Sequence, residues 1–197
     1  MSSNPWQAVE DFEAALRGYC GAPYAVALSS ATAGLLLALM YQQPNKVLIP
    51  RHTYISVPLA AKRAYSTIQW SDDPWSGCYR LAPTNIWDCA LRFTSGMYEK
   101  GQIQVVSFAA AKILGMEQGG AILHDDRNAD LWFRKMRFDG RTPGKEVSED
   151  SIDVLGYHFP MLPSVAAQGI LRLHHLPKNN PDQVRQYPDV SVHPIFQ

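Results

Sequence analysis

Apolar residues at Trp6, Val9, Phe12, Ala15 and Leu16 recur at helical spacing, and glycines at 18 and 21 follow, so the pattern predicts an amphipathic helix closed near Gly18 and Gly21. Tyr24 to Leu28 is a short apolar run bounded by turn residues and reads as a strand. Ser29, Ser30, Ala31 and Thr32 then form a polar turn suited to cap a helix, and Ala33 to Tyr41 is apolar nearly all round, the signature of a buried helix. The alternation continues with a strand at Lys46 to Pro50, a helix at Thr53 to Ala64 and a strand at Thr67 to Trp70. Asp72 to Pro83 is rich in turn residues and reads as a loop. Strands follow at Asn85 to Cys89, Gln102 to Phe108 and Gly119 to His124. Ala129 to Arg137 is helical, Thr142 to Asp150 is a polar loop, and Pro163 to His174 is a helix packing through Val165, Ala166, Gly169, Ile170 and Leu173. Beyond Pro177 the chain is polar and proline-containing, an extended tail tied down at Ile195 and Phe196.

Strands alternating with helices predict an α/β fold with a largely parallel sheet. The 197 residues suffice for one domain with a real core. The division expected is a domain over residues 1–176 and a tail over 177–197. Hydrophobic residues make up 46% and charged residues 18%, which argues against disorder and leaves apolar surface for a partner to cover. Lysine plus arginine equals aspartate plus glutamate, 18 each, so nothing attracts nucleic acid or an anionic membrane generically. No apolar run is long enough for a transmembrane helix, and the polar segment Met1 to Trp6 lacks a signal-peptide pattern. Three cysteines (Cys20, Cys78 and Cys89) form no CxxC pair, so a reducing cytoplasm is expected and a disulfide framework or zinc site is not. The adjacent His174 and His175 point apart on a helix, and no metal site is expected. GRTPGK at residues 140–145 is one residue short of a phosphate loop, with Glu146 where a magnesium-binding hydroxyl should stand.

Candidate chemistry centres on Lys112, which ends VVSFAAAK just after an apolar strand. Burial disfavours the ammonium form and makes an amine nucleophilic, able to form a Schiff base, and small alanines admit a flat ring. The alternative is an exposed lysine beginning a loop. Asp88, in NIWDC, ends another strand, where the carboxyl ends of an α/β sheet meet at a crevice. A carboxylate there can hold a protonated ring nitrogen, as pyridoxal phosphate requires; the alternative is a carboxylate capping a turn. The SSAT turn, Ser29 to Thr32, offers helix N-terminal amides and hydroxyls to an anion, or is an ordinary cap. Tyr54, in RHTYIS, can stack on a planar ring or lie in the core.

These segments stand in the order of a known family. EDFEAALRGYCGAPYAVALSSATAGLLLAL, PRHTYISV, WDCA, VVSFAAAKILGMEQGGAIL, FDGR and GYHFPMLPSVAAQGILRL resemble segments of the DegT/StrS sugar aminotransferases, which are fold-type I pyridoxal-phosphate enzymes. The resemblance covers roughly residues 9 to 176, and the spacing from Ser107 to Lys112 is among its more specific features. It implies a three-layer domain with a mostly parallel sheet flanked by helices, with the family's C-terminal small domain absent. It also implies pyridoxal 5'-phosphate as cofactor. Lys112 would form the Schiff base and shuttle the proton, and Asp88 would pair with the pyridine nitrogen. Tyr54 would stack on the ring, and Ser30, Ala31, Thr32 and Ser107 would hold the phosphate. His158 stands where the family has an asparagine reaching the partner subunit's cofactor phosphate. Ala31, Leu91, Ala109 and Pro160 depart from the family's usual residues. The expected function is transfer of an amino group from an amino acid, glutamate first, to a keto-sugar or other carbonyl acceptor by a homodimer with shared sites. The alternative is a protein of this fold with little catalysis, acting as a binding or structural partner.

Overall fold

The computed structural model describes residues 4–197, so the first three residues of the polar N-terminal segment lie outside it. Helix α1 spans Gln7–Cys20, strand β1 Tyr24–Leu28, helix α2 Ala31–Gln42, strand β2 Lys46–Pro50, helix α3 Ser56–Arg63 and strand β3 Thr67–Ser71. Strands β4 (Tyr79–Arg80), β5 (Ile86–Asp88), β6 (Ile103–Ser107) and β7 (Gly120–His124) follow, then helices α4 (Arg127–Met136) and α5 (Pro163–His175). The expected elements are present with bounds moved by a few residues. The largest change shortens the helix expected from Thr53, because residues 51–55 bend across the end of β2 and α3 starts at Ser56, leaving Pro58 in its first turn where a missing amide costs nothing.

The α/β architecture holds, with a mixed sheet. Its order is β1-β7-β6-β5-β4, and β2 and β3 form a separate parallel pair. Strands β1, β5 and β6 run one way, while β7 and β4 run against them. Strand β7 is antiparallel because residues 108–119 return as an irregular loop with no crossover helix. Strand β4 lies inside the segment 72–83 that reads as a loop. Its two residues pair with β5, with Tyr79 opposite Asp88.

Three layers follow from burial on both faces of the sheet. Along β1, Val26 and Leu28 face a core shared with α2, α3 and α4, while Ala25 and Ala27 face a second core shared with α1 and α5. Glu13 on α1 closes the open edge of β1. Its carboxylate accepts from the Ala27 amide at 2.8 Å, from Arg134 at 2.6 Å and from Arg137. Buried charge is tolerable here because each is paired and further hydrogen-bonded.

The chain after α5 runs back over the sheet's end rather than away from it. Lys62 donates to the Ile195 carbonyl at 2.7 Å, and Phe196 packs edge-on against Trp70 with ring centres 5.5 Å apart, so the tail is fastened where the sequence suggested.

Candidate active site

The carboxyl ends of β1, β5 and β6 and the start of β7 meet at one end of the sheet, and one glycine sets how closely. A side chain at Gly120 would place its Cβ 2.4 Å from the Ala31 nitrogen. Only a bare backbone lets β7 abut the start of α2, while Gly120 also pairs with Ser107 on β6 and Leu28 on β1. Ser30 caps α2, its Oγ accepting from the Ala33 amide at 3.1 Å. The amides of Ala31 and Thr32, in the first turn, have no acceptor within the helix, and the helix dipole makes this end attractive to an anion.

A cavity of about 400 Å³ opens at this convergence. Ser30, Ala31, Thr32, Tyr54, Asp88, Ser107 and Lys112 all line it. Asp88 is buried at the end of β5. Its Oδ2 accepts from the Tyr79 hydroxyl at 2.8 Å and its Oδ1 from the Ala90 amide at 3.0 Å. The Tyr79 oxygen lies 2.6 Å from Thr53 Oγ1, so with Tyr79 donating to the carboxylate, Thr53 donates to Tyr79. Burial raises the Asp88 pKa above its ordinary 3.8, against the lowering effects of Tyr79, the Ala90 amide and Lys112. Burial also pushes the Tyr79 hydroxyl well up, keeping it a donor.

Lys112 is half-buried on the loop after β6. Its amide donates to the Ala109 carbonyl at 2.8 Å, and Met116 returns a bond to Phe108 at 2.7 Å, folding the loop into a tight turn. The three alanines before it are exposed, and Ala109 and Ala111 line the cavity. Burial lowers the Lys112 pKa below 10.5, Arg185 lowers it further, and Asp88 opposes both. Lys112 and Asp88 line the same cavity and influence each other's charge without forming a salt bridge.

The tail supplies a wall that the sequence did not reveal. Arg185 and Tyr187 line the same cavity. Tyr187 stacks on Trp75 with ring centres 6.1 Å apart, its carbonyl lies 3.0 Å from His52 Nδ1, and its ring centre is 6.4 Å from that of Tyr54. Asp182 anchors the segment by a two-pronged bond to Arg92 at 2.8 and 2.6 Å. The Arg185 side chain makes no hydrogen bond or ion pair among the described residues. A neighbouring cavity of about 510 Å³, walled by His52, Asp72, Asp73 and Trp75, shares Arg185 and Tyr187 with the first.

His158 is the one expected site residue outside the cavity on its own chain. It is exposed beside Phe138, and its Nδ1 lies 2.7 Å from Asp139 Oδ2. Tyr79, Thr53, Arg185 and Tyr187 are the additions. Tyr79 sits among turn residues that masked its strand. Arg185 and Tyr187 reach the site only through the fold of the tail, which no local pattern encodes. Among the described residues, no group of three His, Cys, Asp or Glu is arranged to hold a metal, and no helix is long and apolar enough to cross a membrane.

The fold is one shared with aminotransferases of known structure. A model of the DegT/DnrJ/EryC1/StrS aminotransferase family matches residues 3–73 and 95–187, and the chain belongs to that family. No curated protein matches the chain. Among solved structures, it is similar to the sugar aminotransferase CalS13 from Micromonospora echinospora at 21% identity and a TM-score of 0.74, covering 86% of this chain and 60% of that one. It is also similar to S. venezuelae DesV, solved in complex with a ketimine intermediate, at 22% identity and a TM-score of 0.69, covering 86% of this chain and 57% of that one. A third is NtdA from Bacillus subtilis with bound cofactor PMP, at 19% identity and a TM-score of 0.71, covering 86% and 48%. The chain thus spans three fifths or less of the length of these three structures.

The raised pKa of Asp88 has a thermodynamic consequence. Between 3.8 and its raised value the folded chain keeps a proton that the unfolded chain releases, so stability falls as pH rises through that window. Asp88→Asn removes this dependence. Urea unfolding at about pH 4 and about pH 7 should show the variant gaining stability relative to the parent at the higher pH. A difference between the two proteins that stays constant with pH would contradict the assignment.

Proposed function

We propose that this chain binds pyridoxal phosphate and acts as an aminotransferase, moving an amino group from an amino acid, glutamate first, to a keto-sugar or other carbonyl acceptor. The observation that carries the reading is that Asp88, Lys112 and the N-terminal residues of α2 line one cavity.

The residues present fit the cofactor. Its phosphate suits the amides of Ala31 and Thr32 and the hydroxyls of Ser30, Thr32 and Ser107. The buried Asp88 carboxylate, already bonded by Tyr79 and Ala90, has the charge to keep a proton on a pyridine nitrogen. Tyr54 offers a ring face for stacking. When bound, the cofactor supplies an aldehyde for the amino group and a ring that withdraws electrons. The Lys112 amine, its pKa lowered by burial and by Arg185, would hold the cofactor's aldehyde when no donor is bound and, once displaced by the donor's amino group, would take and return a proton at the donor's α-carbon. The Arg185 guanidinium at the mouth is free to take the donor's carboxylate. The adjoining cavity beside Trp75 gives the acceptor room.

The same reading makes the chain a homodimer. Val147, Ile152 and Leu155 expose 57%, 53% and 93% of their surface on the segment leading to His158, an apolar face that a second copy would cover. His158 would then reach the partner's phosphate.

A half-reaction with L-glutamate, followed by the change in cofactor absorbance, tests the transfer. The parent chain should convert. Lys112→Ala should lose about 10²–10⁴-fold in rate, and Arg185→Gln should need roughly tenfold more donor. Cofactor binding without transfer from any amino donor would favour the non-catalytic alternative.

Assembly is tested by mixing chains. In heterodimers of His158→Ala with Lys112→Ala, one site carries both lesions and the other none. About half of the parent activity per dimer should return. Verified heterodimers that stay inactive would contradict contact in trans.

A further inference from the structure

Two of the three cysteines meet across the β4–β5 hairpin. Cys78 and Cys89 lie one position beyond the register that sets Tyr79 opposite Asp88 and Arg80 opposite Trp87. The Leu81 amide donates to the Ile86 carbonyl at 2.9 Å, which marks that pair as hydrogen-bonded. Directly opposite residues of an antiparallel pair have Cα atoms about 4.5–5.5 Å apart. That spacing lies within the range a disulfide spans. The two sulfurs are 2.7 Å apart, and both thiols are free.

The surroundings distinguish this pair from Cys20. Cys78 is only half-buried, which leaves one sulfur open to attack from solution, while Cys89 lies behind it. The Arg92 guanidinium, held by Asp182 of the tail, is near enough for its charge to favour a thiolate at Cys89. Burial and the Cys78 thiol push Cys89 up, and Arg92 opposes them. Cys20 has no such help; burial in α1 pushes its thiol up to about 12.

We propose that Cys78 and Cys89 form a thiol–disulfide modification site, closed by exchange with a small-molecule disulfide. The Cys78 thiolate attacks one sulfur of the reagent, breaks its S–S bond and releases one small thiol. The Cys89 thiolate then attacks the Cys78 sulfur and releases the second small thiol. Two protein thiols are oxidised, one reagent disulfide is reduced, and the two protons leave on the released thiols. The bond joins the residues next to Tyr79 and Asp88 in sequence, so it pins the hairpin register that aligns the Tyr79 hydroxyl with the buried carboxylate. The inference rests on the hairpin and not on the cofactor reading.

The test is to incubate the full chain with oxidised glutathione, alkylate the remaining thiols and map tryptic peptides without reduction. Arg80 lies between the two cysteines, so trypsin puts them on separate peptides. The expected result is loss of two of the three thiols, a cross-linked pair of peptides lighter by two hydrogens, Cys20 recovered as the free thiol, and full reversal by dithiothreitol. Cys89→Ser should instead stop at a glutathione adduct on Cys78, and Cys78→Ser should leave Cys89 unmodified. Three free thiols after incubation, a persistent adduct on Cys78 of the parent chain, or a cross-link involving Cys20 would overturn the proposal.

Discussion

Asp88 is a carboxylate taken out of water at the end of a strand with no cation at bridging distance among the described residues, and the site is built around keeping it there. Burying such a charge costs several kcal/mol, whereas each hydrogen bond to it returns roughly 1.5–3 kcal/mol. Tyr79 and the Ala90 amide supply two such bonds, and Thr53 fixes the tyrosine in turn. The balance still falls on the side of burial, since the Asp88 pKa is raised. A group in that state gains from a positive partner in the cavity. The hairpin strand β4 exists, in this view, to carry Tyr79 to the carboxylate, and the tail from Asp182 to Tyr187 roofs the same space.

A second constraint is steric. The bare backbone of Gly120 allows α2 to start against β7, which brings the helix N-terminus beside Ser107 and opposite Asp88. An anion-attracting helix end, a buried carboxylate at a strand end and a depressed lysine on the loop after β6 line one cavity. Arg185 shows how the tail enters the electrostatics as well as the shape: burial and the Arg185 charge lower the Lys112 pKa while Asp88 raises it, so groups far apart in sequence set the amine's proton affinity.

Most of this framework is legible in the amino-acid order because it is local. Helix periodicity, the Ser30 cap and the apolar strand runs each depend on neighbours a few residues away, and the structure places Ser30, Ala31, Thr32, Tyr54, Asp88, Ser107 and Lys112 around one cavity. What escaped is long-range. Tyr79 lies between Gly77 and Pro83 in a stretch whose turn residues outweigh a two-residue strand, and only its pairing with β5 reveals it. Arg185 and Tyr187 belong to a polar segment whose path is set by Arg92, Ala111 and His52, far away in sequence. His158 enters through the family resemblance, and among the described residues its side chain bonds Asp139 alone. The sheet's mixed character was hidden for a similar reason: nothing in β7 itself says that it turns back without a helix.

The most direct test of the central claim, that Asp88 and Lys112 frame a pyridoxal phosphate site, is to add the cofactor to the purified chain, reduce with borohydride and locate the pyridoxyl group by peptide mass. The account predicts a yellow protein whose colour is lost on reduction, with one label per chain on the peptide that carries Lys112. A chain that stays colourless with added cofactor, or a label on another lysine, would contradict it.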